Sequence, residues 1–579
     1  MSFRQYYEDE LAYLREVGDA FSKANPAIAG LISQRAADPD VERLMEGFAF
    51  LTGRLRQRLD EELPELSHGL LALLWPHYLR PIPALSIVEF APPASGGMTT
   101  VPGGAALAAR PVEGIACHFR TCFDLPLLPL SIAEVRLEER AASASLMLRL
   151  AAAPGADVRL LAGRRLRLFL HGGRSPRLGA ELLRILLREV SAIEASAGEK
   201  RVELPGQAIA HAGFAPEEAV LPWPRNAFPG YRLLQEYLVF PDRFLFVDLP
   251  ALPPEAGLAG REIAFSFRIG SRTDLPPNLS AENFRLNCVP VINLYEAEAA
   301  PLTLDRLHAE YRLRPMRPAS RFARIYSVDR VYGSAQGRPD RIAYEPFESF
   351  HHALPGRDGR FYRVQRRPSA VERGTEIWLR FVDAADRAAD PGADTIAASL
   401  TCTDGALAEA VPIGGIDQVA VGSPAVSSFR NITPVVPEIS PPLSGDTLWR
   451  LTAGLARSLR PLDDAASLGR LIAAYDFRAA EDAQAARRLE LMLASLRDLE
   501  IQPMDTLIDG IPARGRRVIL TASESGFGGP EGLHLFGAVL DGFLGLYAGL
   551  NTCYQTVLHG GEGKVDYRWP VRGGRVPLL

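Results

Sequence analysis

Cysteine is scarce in this chain: five residues in 579. So few thiols in so long a chain exclude a disulfide framework and fit a reducing compartment. No run of roughly 18 uninterrupted apolar residues occurs, so no membrane-spanning helix is expected. The opening Met1-Ser2-Phe3-Arg4-Gln5-Tyr6-Tyr7-Glu8-Asp9-Glu10 has no apolar core behind a positive flank, so no Sec signal is expected. Neither sign of charge prevails. The 64 Lys and Arg against 69 Asp and Glu leave a net charge of −5, which gives no overall field toward nucleic acid or anionic lipid. Repeats of fixed period and extended low-complexity tracts are also missing.

What is present is ordinary soluble-protein composition, 47% apolar and 23% charged. The length exceeds the roughly 250–300 residues at which one core stops growing, which predicts about three or four packed units. The 46 prolines and 50 glycines are spread along the chain, favouring many turns and short strands over long helices. The predicted class is α+β and multi-domain: an N-terminal helical segment (1–84), a β-rich unit with one packed helix (85–250), a β-rich middle unit (251–435) and a mixed α and β C-terminal unit (436–579).

The N-terminal segment carries the clearest helical spacing. Phe3, Tyr7, Leu11, Leu14 and Phe21 form one stripe, stopped at Asn25-Pro26. Asp38-Pro39 restarts the chain with a capping side chain and a proline suited to a first helical position. Val41, Leu44, Phe48, Leu51, Leu55 and Leu59 form a second stripe, with Arg43, Arg54, Arg56 and Arg58 on or near other faces. A third helix runs from Pro64 to Pro76. Strands are predicted at Ser86–Phe90, Ser145–Leu150, Arg165–Leu170, Ile263–Ile269 and Glu376–Phe381. Helices are predicted at Ala180–Val190, Thr447–Leu459, Ala465–Tyr475, Ala485–Leu496 and Leu533–Tyr547. Strands at Arg516–Leu520 and Asn551–Leu558 flank the last helix, and Pro-rich Thr433–Gly445 reads as a linker.

Signatures of catalysis fail one by one. Gly526-Phe527-Gly528-Gly529-Pro530-Glu531-Gly532 lacks the Gly-Lys-Ser/Thr ending of a phosphate loop and has Glu531 where a dinucleotide fingerprint needs glycine. It reads as a helix entry, with Gly529 as cap and Pro530 as first residue. Cys117, His118 and Cys122 have no second ligand pair for structural zinc, and buried small hydrophobes are the simpler reading. His351-His352 lacks the helical spacing of a zinc protease, so a surface loop is expected. No Gly-x-Ser-x-Gly elbow occurs, and no carboxylate pair stands out as a glycosidase pair. No metal or cofactor is expected. Arg54, Arg56 and Arg58 are offset by Asp60, Glu61 and Glu62, which reads as a solvated face. An acidic protein partner is the alternative.

Several long blocks in fixed order resemble one family. Tyr6-Tyr7-Glu8-Asp9-Glu10-Leu11-Ala12-Tyr13-Leu14-Arg15 is similar to the opening of the TssF (VasA/ImpG) family of type VI secretion baseplate subunits. Asp38–Leu44 with Gly47–Leu51 resembles its second block and Tyr78-Leu79-Arg80-Pro81-Ile82-Pro83 its third. Cys117–Thr121, Pro229–Tyr237 with Phe240-Pro241, Asn287–Leu294, Ile325–Asp329, and Phe536–Asp541 with Tyr547 and Asn551 follow. Ala456–Leu462 and Val382–Gly415 match loosely. The resemblance implies a structural subunit without catalytic residues. Two copies would join one TssG in a wedge, completed by TssK and TssE around the VgrG spike, in the cytoplasm near the membrane. It implies a scaffold for sheath and tube assembly.

Scaffolds of this kind bury large surfaces, with Tyr, Arg and Phe as anchors. The candidate interface residues are Phe3, Tyr6, Tyr7, Leu11, Leu14, Arg54, Arg58, Tyr231 and Tyr237. For Tyr231 and Tyr237 the core is the competing place. Competing functions are a wedge subunit of a related phage-tail-like device, or a β-sandwich carbohydrate-active or carbohydrate-binding protein, which would need a pocket of convergent polar groups.

Overall fold

The computed structural model describes residues 7, 11, 43–44, 46–52, 54, 68–443 and 464–574. Within these, 95, 141–142, 174, 176, 225–226, 271–274, 277–278, 306–307, 317–321, 336–340, 349–359, 370–373, 384–386, 425, 427, 509, 547–548, 550–551 and 562–565 are outside the description. With 27% helix and 41% strand, the chain is α+β and dominated by sheets. It divides into two compact units: 1–75 with 442–456, and 76–441 with 457–579. In the first, the described residues of 43–54 and 68–74 are helical, and Ala49 and Leu71 are fully buried.

The second unit is a set of mostly antiparallel sheets. The first sheet runs Gln418–Val419, Ala106–Ala108, His118–Thr121, Cys288–Ile292, Leu85–Phe90, Phe429–Asn431. Its register places Val88 opposite Val289 and Asn431. Its buried face, with Val88, Phe90, Leu107, Phe119, Val289, Val291 and Phe429, forms one core cluster. A five-stranded sheet follows the order Lys200–Pro205, Val190–Ala197, Glu262–Gly270, Ser143–Ala152, Leu130–Arg140. Glu262–Gly270 shows the alternation expected of a half-buried strand: Ile263, Phe265, Phe267 and Ile269 are buried between more exposed neighbours. A four-stranded sheet joins Ala210–His211, Phe246–Leu249, Leu166–Leu170 and Phe284–Arg285.

These three sheets each mix strands from before and after residue 250, so the expected division there cuts through all of them. Thr433–Gly445 is no free linker over its described part. Val436 bridges Leu85, Ile439 bridges Ile82, and Thr433, Val435 and Ile439 are buried. Proline-rich chain without a ladder of its own can still be tied down by a neighbouring strand that offers free edge groups.

A further sheet, ordered Tyr295–Glu298, Thr395–Thr403, Arg324–Ser334, Ile342–Pro346, Phe361–Pro368, Thr375–Val382, Glu310–Leu313, has its own core around Val331, Leu379, Phe381, Ile396 and Leu400. The last sheet runs Leu496–Ile508, Ile511–Ala522, Thr552–Gly560, Asp566–Arg568. Ile511–Ala522 and Thr552–Gly560 are parallel, and parallel neighbours need a crossover.

That crossover is the last of five helices among the described residues of the second unit: α1 Leu178–Arg188, α2 Gly230–Val239, α3 Ala465–Tyr475, α4 Ala483–Ser495 and α5 Pro530–Gly545. Asp464 and Asp482 cap α3 and α4 through their side chains. At α5 the glycine-rich stretch is a helix entry, with Gly528 at φ +80°, Gly529 as cap at φ +130° and Pro530 at the first turn. At the start of α1, a β-carbon on Gly179 would lie 2.7 Å from the Leu170 carbonyl oxygen, so glycine permits the close approach of helix to strand.

Candidate functional site

Among the described residues of 43–54, the helix turns large apolar side chains outward. Leu44 is 73% exposed, Phe48 59% and Leu51 66%. Spacings of four and then three residues put them on one helical face. Apolar surface held in water favours any partner that covers it. Arg54 is exposed beside it, Tyr7 is half-buried and Leu11 is buried. Phe3, Tyr6, Leu14 and Arg58 lie outside the described residues, as do His351-His352, Thr447–Leu459, Tyr547 and Asn551.

Tyr231 and Tyr237 do not join that surface. Both are buried, on α2, which is covered along nearly its whole length. Tyr231 stacks on Tyr475 of α3 at 5.1 Å between ring centroids, and Tyr237 packs 5.7 Å from Phe536 of α5. The sequence reading that put them in the core is the one the packing supports. An aromatic between three helices buries far more apolar area than one at a solvated edge.

α2 also carries charge into the interior. Glu236 Oε1 accepts the amides of Val220 and Leu221 at 2.9 and 3.0 Å, and Oε2 lies 2.7 Å from Arg243 Nη1. Arg243 donates to the carbonyls of Gly213 and Glu218. Burial pulls its guanidinium below its usual value, and a guanidinium retains its charge at neutral pH. Arg232, one helical turn before Glu236, lies 3.6 Å from it. Two cations therefore share one buried carboxylate.

A groove of about 580 Å³ opens beside this network. Its lining includes Arg120 and Cys122 at the end of strand His118–Thr121, the proline-rich stretch around Trp223, and Arg232 of α2. The sequence placed both arginines inside family-like blocks, but nothing in their spacing signalled that they line one groove.

The other chemistry-bearing side chains serve structure. Cys117, Cys122, Cys288, Cys402 and Cys553 are free. Burial pushes the Cys117 thiol up to about 12, far from a reactive thiolate. His118 is raised by its hydrogen bond to Asp404, a carboxylate that also accepts from the Asn293 side-chain amide at 2.8 Å. Among the described residues no three His, Cys, Asp or Glu side chains converge to hold a metal, and no helix is long and apolar enough to cross a bilayer.

The pattern of the family described as "Type VI secretion system, TssF" matches residues 1–576. The chain belongs to the TssF family. It is 31% identical, over 635 aligned positions covering 99% of both sequences, to type VI secretion system component TssF1 of Pseudomonas aeruginosa PAO1. Its fold is similar to a chain of a solved TssK-TssF-TssG baseplate subcomplex, with TM-score 0.71, 30% identity, and 92% of this chain and all of the other covered. A chain of a solved type VI secretion baseplate complex matches over the full length of both, with TM-score 0.59 and 27% identity. TssF proteins are structural baseplate components, and this TssF-family chain presents a bare apolar helix face.

Proposed function

We propose that this chain is a wedge subunit of a type VI secretion baseplate. Two copies join one TssG, TssK and TssE complete the wedge, and wedges surround the VgrG spike to support sheath and tube assembly. The work is done in the cytoplasm near the membrane and is structural, with no residue assigned to catalysis. The observation that carries this reading is the match to chains of baseplate complexes over 92% and 100% of this chain.

The contact we assign to assembly is the Leu44, Phe48 and Leu51 face, with Arg54 at its rim and Tyr7 from the same unit. Large exposed apolar side chains anchor permanent complexes, and a rim arginine adds orientation. Co-expression with the cognate TssG and TssK, followed by size-exclusion chromatography with light scattering, tests the reading. The expected result is one complex holding two copies of this chain per TssG. A folded chain that elutes alone beside folded partners would refute it.

A further inference from the structure

Among the described residues that line it, the groove beside α2 carries two cations, Arg120 and Arg232, and no Asp or Glu, although acidic residues outnumber basic ones in the chain, 69 to 64. The imbalance therefore belongs to the groove and not to the composition.

Arg232 is only 4% exposed, yet its guanidinium is under-used. Nη2 makes one long bond, 3.4 Å, to the Ala215 carbonyl. Nη1 is buried without a hydrogen bond. Its nearest carboxylate oxygen, Glu236 Oε1, already accepts two backbone amides, and Oε2 faces Arg243. A buried donor left this way is destabilising until something accepts from it. Arg120, also in the lining, is half-buried, and among the described residues no side-chain hydrogen bond or ion pair engages it.

The remaining wall suits an extended chain. Trp223 is held by bonds from Nε1 to the Ala227 and Phe228 carbonyls at 3.3 and 3.2 Å and by His77 at 4.0 Å between ring centroids. Pro222 and Pro224 flank it in the lining. A fixed indole among prolines offers a rigid apolar surface at little entropic cost, as in grooves that receive extended peptides. The volume lies within the roughly 300–1,000 Å³ of small-ligand and side-chain sites.

We propose that this groove seats an extended acidic segment of another baseplate subunit. Arg120 and Arg232 receive an Asp or Glu carboxylate, and a neighbouring apolar side chain lies against Trp223. The incoming carboxylate supplies the acceptor that Arg232 Nη1 lacks, and a guanidinium's paired donors match carboxylate geometry. The partner's identity rests on the baseplate reading above. The acidic chemistry rests on the groove alone.

The test uses dye-labelled, terminally blocked peptides tiled across the cognate TssG and TssK, titrated against the full-length chain by fluorescence anisotropy. At least one acidic peptide is expected to bind. Its Glu→Gln or Asp→Asn counterpart should bind about tenfold more weakly. Arg120→Gln should cause a similar loss, and Arg120→Glu should be rescued by a peptide with arginine in place of its acid. Trp223→Ala should weaken every binder. If no tile binds in a charge-dependent way, or if binding is unchanged in Arg120→Gln and Trp223→Ala, the inference is overturned, even when the chain co-purifies with TssG and TssK. Failure to co-purify bears instead on the baseplate reading.

Discussion

Arg243 Nη1 lies 2.7 Å from Glu236 Oε2, with side-chain exposures of 1% and 0%. The pair fastens α2, Gly230–Val239, to the turn that follows it, and through Glu236 Oε1 to the backbone at Val220 and Leu221. A sealed ion pair contributes little against an apolar replacement of both partners, but removing one partner strands the other's charge. Glu236→Gln is therefore expected to cost about 3–5 kcal/mol, because it leaves Arg232 and Arg243 without their shared carboxylate. Urea denaturation of the isolated chain measures this. A loss under about 1 kcal/mol would mean that the pair is not the fastener described here.

The exposed helix face separates assembly from folding. Phe48 and Leu51 are 59% and 66% exposed, and substitutions at such positions usually change stability by no more than about 0.5 kcal/mol. The double variant Phe48→Asp with Leu51→Asp should keep the wild-type melting temperature within a few degrees and lose co-purification with TssG. Retained co-purification would remove this face from the assembly surface.

Asp541 supplies a pH-dependent contribution. It is 1% exposed and lies 3.1 Å from Arg572. Burial raises its carboxyl from 3.8 to about 6, a rise that the nearby Arg572 partly opposes. The folded state therefore binds this proton more tightly than the unfolded state. The stability it contributes is complete below about pH 4 and is lost as pH rises through about 6, a span worth roughly 3 kcal/mol at 1.36 kcal/mol per unit. Asp541→Asn should flatten that component. The difference in unfolding free energy between variant and wild type should grow in the variant's favour from pH 4 to pH 7. A difference constant with pH would show that Asp541 keeps its ordinary affinity for the proton.

Gly179 tests the packing of α1 on its strand. A β-carbon there would lie 2.7 Å from the Leu170 carbonyl oxygen and 2.8 Å from Leu245 Cδ1. The backbone contact has no flexible end to move aside. Gly179→Ala should destabilise the chain by about 1–3 kcal/mol, although alanine is the better helix former. A more stable variant in thermal denaturation would show that the helix can shift outward freely.

Elements with a single clean period were legible from the residues. Ala465–Tyr475 alternates at helical spacing behind the capping Asp464, and Glu262–Gly270 alternates at strand spacing. The α5 entry was legible too, since Gly-Gly-Pro has few other uses before an apolar stripe. α2 was recognisable as a family block but not as a helix, because a helix buried all round has no polar face to set its period. Leu496–Ile508 was not foreseen as a strand. It pairs along one edge among the described strands, and polar residues, with Pro503 and Asp505 among them, break up its apolar ones, so no clean strand period stands out.

Order along the chain alone determined the mixed α+β class, the main helices and the family, since blocks in fixed order and local periodicity are properties of neighbouring residues. Tertiary structure decided which surfaces are bare and which charges are sealed. Phe48 and Tyr231 are both aromatic residues on helices, yet one is 59% exposed and the other 5%. The difference depends on which distant segments land on each residue, and so does the placing of Arg120 and Arg232 in the lining of one groove. Burial is set by contacts far apart in sequence, which no local pattern encodes.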